Sequence, residues 1–278
     1  VAVYTSDTYN NRPTIGNQYI SISNDALVVD INGRYVSGLN NNGQFLDGTT
    51  TNRSSLTAVA LPWRMVSGTA AIRQDGTLWT WGSNASGQLG WYQTSTLNAT
   101  SLKMGQVVQY IDTYNYPSYN DWVYVSSNGS YTHAIRSNGT LWGWGANQTY
   151  GFLGINNTSS NFSYMVQVMS SKSWKKVCST NGLHTLAIDS TGALWAWGYN
   201  YRGQLGDGTA SDTYRSSPAQ VGTRTDWVDI ATSTYKSYGL TSDGNIWGWG
   251  KNSDGHLGDG TTIDRSSPVQ IGYGHCLL

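Results

Sequence analysis

The chain has 278 residues, enough to bury a sizeable core, and its 16 basic residues balance 16 acidic ones, all of them Asp. The basic residues are scattered, which argues against a nucleic-acid interface, and no apolar run reaches the ~18 residues of a membrane-spanning helix. Thirteen Trp and 19 Tyr argue against disorder, while abundant Gly, Asn, Ser and Thr favour strands and turns over helices.

A strand-and-turn unit recurs along the chain. Its five copies, in order, are ALVVDINGRYVSGLNNNGQFLDGT (26–49), AAIRQDGTLWTWGSNASGQLG (70–90), HAIRSNGTLWGWGANQTYGFLG (133–154), HTLAIDSTGALWAWGYNYRGQLGDGT (184–209) and YGLTSDGNIWGWGKNSDGHLGDGT (238–261). The first copy diverges most, with Tyr35 and Ser37 where later copies have Trp. The linking segment also repeats, as RSSPAQVG at 215–222 and RSSPVQIG at 265–272. Such self-similarity indicates a repeat architecture.

Each unit reads as a hairpin followed by a loop. Trp195 and Trp197 alternate along one strand and should share a face, with the small Ala196 between them. Before the equivalent strand in other copies, Asp75-Gly76, Asn138-Gly139 and Asp243-Gly244 signal tight turns. A sheet of this kind cannot bury both faces alone, so packing sheets around an axis is the expected solution.

The consensus D/N-G-x-L-W-x-W-G-x-N-x-x-G-Q-L-G-D-G-T resembles the RCC1 (regulator of chromosome condensation) repeat, of the type in bacterial and phage surface proteins. The resemblance covers nearly the whole chain. It implies an all-β fold, a β-propeller of about five four-stranded blades in a single domain, 1–278. The expected repeat blocks are 12–52, 53–105, 106–164, 165–214 and 215–267, with a partial repeat at 268–278. Because the family usually has seven blades, blade number and ring closure stay open.

Most tryptophans occupy repeat positions, so twelve of the 13 are expected to be scaffold. Trp91 is the exception and opens an insertion at 91–120; a second aromatic loop spans 148–164. Both follow the same strand in adjacent repeats and should emerge on one face. Aromatic side chains outside the repeat register are candidates for a recognition surface, although loops packed on their own blades are the alternative. The candidate binding residues are Trp91, Tyr92, Tyr110, Tyr114, Tyr116, Tyr119, Tyr150, Phe152, Phe162 and Tyr164.

Residues for catalysis or metal binding are sparse. His133 and His184 stand at one repeat position, which favours a structural role, and no His and Cys share a metal-ligand spacing. The chain has no Glu, no Gly-x-Ser-x-Gly elbow and no phosphate-binding loop ending in Gly-Lys-Ser/Thr. We therefore predict no catalytic residues, no bound metal and no cofactor.

These features favour a non-enzymatic binding or structural module outside the cytoplasm, on a cell surface or on a virion as a phage tail, fibre or decoration protein. Its expected partners are proteins of that assembly, or a host-surface protein or glycan. Neither nucleic-acid binding nor membrane insertion is expected, and a homo-oligomer is a further option. The alternatives are a secreted propeller that inhibits an enzyme and, less favoured, a guanine-nucleotide exchange regulator. An exchange regulator would predict a basic N-terminal tail and acidic loops, which the sequence does not display.

Overall fold

The computed structural model describes residues 19–22, 26–30, 34–38, 51, 53–58, 63–82, 84–91, 105–107, 119–179, 182–210 and 214–273. Strands in these ranges form five four-stranded antiparallel sheets, and no helix is present in them. The prediction of an all-β fold made of four-stranded sheets is confirmed.

The five sheets, called blades 1 to 5, each use four strands in chain order. Blade 1 contains β1 (Tyr19–Ile22), β2 (Ala26–Asp30), β3 (Arg34–Gly38) and β4 (Arg53–Ala58). Blade 2 contains β5 (Trp63–Ser67), β6 (Ala70–Arg73), β7 (Leu78–Thr80) and β8 (Gly105–Gln106). Blade 3 contains β9 (Trp122–Ser127), β10 (Tyr131–Arg136), β11 (Leu141–Gly145) and β12 (Phe162–Val168). Blade 4 contains β13 (Trp174–Cys178), β14 (His184–Asp189), β15 (Leu194–Tyr199) and β16 (Tyr214–Gln220). Blade 5 contains β17 (Trp227–Ser233), β18 (Lys236–Thr241), β19 (Asn245–Gly250) and β20 (Arg265–Tyr273).

The fourth strand of each blade falls later in the sequence than the expected blocks placed it. Blade 1 ends at Ala58, beyond the expected boundary at 52. The reason is backbone pairing, because the Arg-Ser-Ser segment pairs with the third strand that precedes it, as in Gly38 with Arg53 and Gly198 with Arg215. The linking segment therefore completes one blade before it leads into the next.

A recurrent irregularity marks the position of the second Trp of the repeat in blades 1, 3, 4 and 5. The register between third and fourth strands shifts at Ser37, Trp144, Trp197 and Trp249. At each shift one residue of the third strand lies opposite three residues of the fourth, as Trp197 lies opposite 216–218, so the fourth strand carries the bulge. Trp144, Trp197 and Trp249 stay paired with the second strand, at Thr132, Thr185 and Ser237, and lack a partner only in the fourth strand.

Contacts between the first strands connect the blades. β1 lies against β5, β5 against β9, β9 against β13, and β13 against β17. The first strands therefore occupy the inner edge of the arrangement, and the fourth strands lie at the outer edge.

Apolar cores fill the spaces between successive blades. Ile135 and Leu141 of blade 3 pack with Trp174 and Trp197 of blade 4. Leu186 and Leu194 of blade 4 pack in the same way with Trp227 and Trp249 of blade 5. Large aromatic side chains contribute most to such cores, and truncating one to Ala typically costs about 3–5 kcal/mol. Blades 3, 4 and 5 thus each present two tryptophans to the core that they share with the preceding blade.

Candidate functional site

The loop after the third strand of blades 2 to 5 is called the docking loop, and in blades 2, 3 and 4 it reaches the following blade. Its first glycine (Gly87, Gly151 or Gly203) lies against the fourth strand of that blade. A Cβ built on Gly87 or Gly151 would lie 2.5 Å from the Cα of Ser163 or Ser216, and one on Gly203 would lie 2.7 Å from Ser266 Cα. These positions accept only glycine, because backbone meets backbone there.

A buried asparagine shapes each docking loop from within. Asn200 Oδ1 accepts a hydrogen bond from the Leu205 backbone N–H at 3.0 Å, and its Nδ2 donates to the Thr209 carbonyl at 3.1 Å. The same Oδ1 bond recurs at Asn84, Asn147 and Asn252. Buried amides of this type fix local backbone geometry because all their polar atoms require partners.

In blades 3, 4 and 5 the second tryptophan of the pair bonds to the docking loop of the preceding blade. Nε1 of Trp144 donates to the Gln88 carbonyl at 3.0 Å, Trp197 to the Phe152 carbonyl at 2.8 Å, and Trp249 to the Gln204 carbonyl at 2.9 Å. A second glycine lies beneath each indole (Gly90, Gly154 and Gly206), and its added Cβ would come within 2.7–2.9 Å of that Nε1. At each of the three junctions from blade 2 to blade 5, a docking loop of one blade therefore pairs with an indole of the next.

Five tyrosines from blades 3, 4 and 5 gather at the rim that carries the docking loops. We call this set the tyrosine surface: Tyr150, Tyr199, Tyr201, Tyr214 and Tyr235. The rings of Tyr150 and Tyr199 are 4.6 Å apart, and those of Tyr199 and Tyr201 stack at 6.2 Å. Tyr201 and Tyr214 are each 45% exposed. The result is a continuous aromatic surface open to solvent.

The tyrosine surface includes one of the predicted binding residues and lies directly above another. Tyr150 belongs to it, and Phe152 contacts Tyr150 at 5.6 Å between ring centroids. Phe152 also stacks on buried Tyr131 at 5.1 Å, so its ring connects the surface to the core. Phe162 and Tyr164 form a separate pair on β12, 5.7 Å apart.

The first predicted insertion is described only at its ends. Trp91 is half-buried at the end of the docking loop of blade 2. Tyr119 is half-buried at the opposite rim, where its ring meets Trp122 at 6.1 Å and the Arg136 guanidinium at 3.6 Å. Tyr92, Tyr110, Tyr114 and Tyr116 lie outside the described residues.

Four members of the tyrosine surface were not among the predicted binding residues, because they belong to repeats that otherwise match the consensus. The available signal was the pair of residues flanking the loop asparagine. Tyr199 and Tyr201 flank Asn200, whereas Ser83 and Ala85 flank Asn84. An aromatic residue at a variable position of an otherwise constant motif therefore indicates a surface role. It is as informative as an aromatic residue in an insertion outside the repeat register.

Charged groups near these loops form local pairs. The Arg215 guanidinium and the Thr209 side chain hold the pKa of Asp207 below its usual range, although burial opposes them. The matching Asp259 bonds to Thr261 and Arg265, and its pKa falls to about 2. At the rim, Arg202 pairs with Asp264 at 3.2 Å, beside the Tyr201 ring. These acids fix turns, and the tyrosine surface has little net charge.

Two histidines are buried at equivalent positions of the second strand. Burial lowers the pKa of His133 to about 4 and that of His184 to about 3. His184 Nε2 lies 2.6 Å from Ser237 Oγ, and His133 Nε2 lies 3.4 Å from the Leu153 carbonyl. Both imidazoles are therefore neutral parts of the scaffold at neutral pH.

Within the described part of the chain, no three His, Cys, Asp or Glu residues cluster in a way that could hold a metal ion. Nor does any helix occur there with the length and apolar character needed to cross a bilayer.

Two sequence families, both described as the regulator of chromosome condensation (RCC1) repeat, match this chain. One matches residues 191–238 and 243–274, and the other matches 174–204. Residues 174–238 and 243–274 therefore carry RCC1 repeats. The matched ranges include docking loops and Trp pairs of blades 4 and 5, so the RCC1 consensus and the blade junctions involve the same residues.

Curated proteins that are similar to this chain are longer than it is. The ultraviolet-B receptor UVR8 of Arabidopsis thaliana is 28% identical over 73% of this chain and 43% of its own length. Human E3 ubiquitin-protein ligase HERC2 is 27% identical over 74% of this chain and 4% of its own length. The chain thus spans less than half of these relatives.

Solved structures show the same architecture. Yeast RCC1 (Prp20), solved bound to Kap60, has a TM-score of 0.74 at 13% identity, covering 93% of this chain and 61% of that one. Human WBSCR16 has a TM-score of 0.71 at 16% identity, covering 92% and 68%. The predicted β-propeller of RCC1 repeats is confirmed by these matches.

Proposed function

We propose that this chain is a non-enzymatic protein-binding module that presents the tyrosine surface to its partner. The observation that carries the proposal is the grouping of five tyrosines, from three blades, into one solvent-exposed aromatic surface. Tyrosine is enriched in binding hot spots because a rigid ring contributes much contact area while its hydroxyl bonds to polar groups.

Exposure separates these tyrosines from the scaffold. Tyr131 is buried and its hydroxyl donates to the Gly182 carbonyl, so it serves folding. Tyr201 and Tyr214 each expose nearly half of their surface to solvent. Exposing aromatic rings in this way does not stabilise the fold. Arg202 beside Tyr201 adds a charged group at the edge, where it can bond to a carboxylate or carbonyl of the partner.

The structural relatives support a protein partner. Yeast Prp20 has been solved with Kap60, and its structure was described together with its binding to Gsp1p and histones. We carry over to this chain the general role of protein binding and none of these particular partners. Nucleotide exchange on a small GTPase remains an alternative, which measuring nucleotide release from a panel of GTPases would test.

We further propose that the module acts outside the cytoplasm, as a component of a cell-surface or virion assembly such as a phage tail, fibre or decoration. Support comes from sparse, balanced charge, the lack of Glu, and loops rich in Asn, Thr, Ser and Tyr. Inhibition of an enzyme, or contact with a glycan, would use the same aromatic surface.

The test is site-specific photo-crosslinking from the tyrosine surface. Benzoylphenylalanine replaces Tyr201 in one sample and Val228 in the control; Val228 is 42% exposed and lies near the opposite end of its blade. Both proteins are exposed to cell extract and to extracellular material from the source. A protein cross-linked from position 201 and not from 228, whose affinity then falls at least tenfold with Tyr201→Ala, supports the proposal.

Other outcomes overturn it. Equal cross-linking from both positions would mean that the tyrosine surface has no special role. Binding on a glycan array that Tyr201→Ala abolishes, without any cross-linked protein, would assign the surface to sugars instead.

A further inference from the structure

The docking loop of blade 3 is one residue longer than those of blades 2, 4 and 5. Asn147 Oδ1 accepts a hydrogen bond from the Leu153 N–H, six residues ahead, whereas the loop asparagines of the other three blades each bond five residues ahead. The additional residue lies between Asn147 and Gly151, because the spacing from asparagine to glycine is one residue shorter in those blades. The lengthened segment ends at Tyr150, a member of the tyrosine surface.

The longer loop contains a backbone conformation that side-chain-bearing residues rarely adopt. Thr149 has a φ of +75°, and the Tyr150 N–H donates a 3.0 Å hydrogen bond across it to the Gln148 carbonyl. Together these features form a γ-turn of the positive-φ type, which is rare and strained, and here a β-branched residue lies at its centre. Such strain persists only where the surrounding structure maintains it, and it concentrates at functional positions. The residue that follows the strained position is Tyr150, so the insertion determines where this ring lies.

The Tyr150 ring lies against Tyr199 of blade 4. The ring centroids are 4.6 Å apart, whereas the other tyrosine pairs of the surface are separated by 6.2–6.4 Å. At 4.6 Å the facing ring edges are in van der Waals contact. The equivalent positions at the two neighbouring junctions carry no phenol: they are Ser86 and Ala146 between blades 2 and 3, and Arg202 and Lys251 between blades 4 and 5. The inserted residue therefore brings two phenols together where blade 3 meets blade 4.

We propose that Tyr150 and Tyr199 are an oxidative cross-linking site, at which a one-electron oxidant joins the two side chains as dityrosine. The oxidant removes one electron from each ring, and each hydroxyl releases its proton to water. The two phenoxyl radicals form a carbon–carbon bond between positions ortho to the hydroxyls, and the ortho hydrogens move to the oxygens as the rings regain aromaticity. With peroxidase-activated hydrogen peroxide as the oxidant, two tyrosines and one peroxide give one dityrosine and two waters.

The tyrosine surface gives an oxidant access to this pair. Tyr201 and Tyr214 are each 45% exposed, and each ring lies within 6.4 Å of a member of the pair. A radical formed at either exposed ring can take an electron from the neighbouring tyrosine and so transfer the oxidation to the closer pair. Tyr131 is the contrast, because burial raises its pKa and its hydroxyl donates to the Gly182 carbonyl. A phenol that cannot release its proton to water is a poor site for this chemistry.

The cross-link would connect blade 3 to blade 4 covalently. It closes the chain between residues 150 and 199 into a loop and thereby lowers the conformational entropy of the unfolded state, as a disulfide does. The cross-linked protein should therefore melt at a higher temperature. Tyr201 and Tyr214 remain unmodified, so this inference does not depend on whether the tyrosine surface binds a partner.

Photo-oxidation with tris(bipyridine)ruthenium and persulfate tests the site in the 278-residue protein, at a concentration low enough that collisions between molecules contribute little. We expect an intact mass lower by two hydrogen atoms and the blue fluorescence of dityrosine. Trypsin should release a cross-link between peptides 137–172 and 177–202, with fragment ions that locate the bond at Tyr150 and Tyr199.

Conservative variants identify the reacting rings. Tyr150→Phe and Tyr199→Phe should each lower the dityrosine yield at least tenfold. Tyr164→Phe is the matched control, because Tyr164 lies in the same tryptic peptide as Tyr150, is 36% exposed and contacts Phe162. This control should leave the yield unchanged.

The inserted residue provides a second test. Deleting Thr149 gives this loop the length of the others and should lower the yield at least tenfold in a protein that still folds. Thr149→Gly keeps the length of the loop and adopts a positive φ without strain. It should retain the cross-link and raise the melting temperature of the unoxidised protein.

Several results would overturn the proposal. Dityrosine that persists in Tyr150→Phe or Tyr199→Phe would assign the reaction to other tyrosines. A product that is mainly a covalent dimer at low concentration would mean that exposed rings of two molecules react instead. An unchanged yield after deletion of Thr149 would show that the insertion does not position the pair. Absence of dityrosine, under conditions in which free tyrosine couples, would show that the site does not react.

Discussion

Trp197 Nε1 donates a 2.8 Å hydrogen bond to the backbone carbonyl of Phe152, which belongs to the docking loop of the preceding blade. Trp197→Phe removes this donor and leaves a cavity in the core shared by blades 3 and 4. We expect the free energy of unfolding to fall by about 2–4 kcal/mol in urea denaturation. Trp247→Phe is the control, because its half-buried indole makes only a 3.3 Å bond to Thr241 in its own blade. Equal losses would contradict a special role for the junction tryptophan.

Asn200 is a second determinant of the junction, since it is buried and bonds to both ends of its docking loop. Asn200→Ala leaves the Leu205 N–H and the Thr209 carbonyl without their partner. The expected loss is about 2–3 kcal/mol in the same urea experiment. Asn138→Ala provides the comparison, because Asn138 makes similar bonds to Thr140 in an exposed turn, and it should cost less than ~1 kcal/mol. A similar loss for both variants would show that burial does not decide the effect.

The two buried histidines make stability depend on pH in the weakly acidic range. Their pKa values fall to about 4 for His133 and about 3 for His184, whereas an unfolded histidine titrates near 6.5. Between about pH 6.5 and pH 4 the unfolded chain binds protons that the folded chain excludes, so stability is complete above 6.5 and decreases as pH falls. Each histidine should contribute about 1.4 kcal/mol per pH unit.

The measurement is the free energy of unfolding at several pH values between 4.5 and 7. His184→Gln should reduce the slope by about one proton, whatever its effect at pH 7. His256→Gln, at an exposed side chain, is the control for the effect of replacing a histidine by glutamine. A slope that persists in the double variant of His133 and His184 would disprove the assignment.

The tyrosine surface should be dispensable for folding. Tyr201→Ala and Tyr214→Ala remove half-exposed rings, so each should change the free energy of unfolding by less than ~0.5 kcal/mol. Tyr131→Phe, by contrast, removes a buried hydroxyl that donates to Gly182 and should cost about 1 kcal/mol or more. Thermal and urea unfolding of the three variants test this. Large losses at Tyr201 and Tyr214 would reassign them to the scaffold.

The sequence allowed the sheets and the scaffold tryptophans to be predicted because both follow from local periodicity. Alternation placed Trp195 and Trp197 on one strand, and recurrence showed that such strands must pack on one another. What the pattern could not supply was the bonding partner of Trp197. That partner is the backbone carbonyl of Phe152, 45 residues away. Because every residue has a backbone carbonyl, the sequence does not indicate which one accepts the bond.

The binding residues were harder to predict for a related reason. Trp91 and Tyr119 were predicted as binding residues because they lie outside the repeat register. In the structure, Tyr119 packs against Trp122 and Arg136. Tyr199 and Tyr201 lie within it and are brought to Tyr150 only by the packing of blade 4 on blade 3. A surface assembled from neighbouring repeats is a property of the junction, and no single repeat encodes it.

The forward reach of each docking loop also affects how the chain folds during synthesis. The loop that ends at Gly154 is completed by Trp197, 43 residues later, and the loop that ends at Gly206 by Trp249, again 43 residues later. At a translation rate of about 5–20 residues per second, that tryptophan is made roughly 2–9 s after its loop. The junction after each blade can therefore form only when the following blade has been synthesised. Native structure should advance from the N-terminus one repeat behind synthesis.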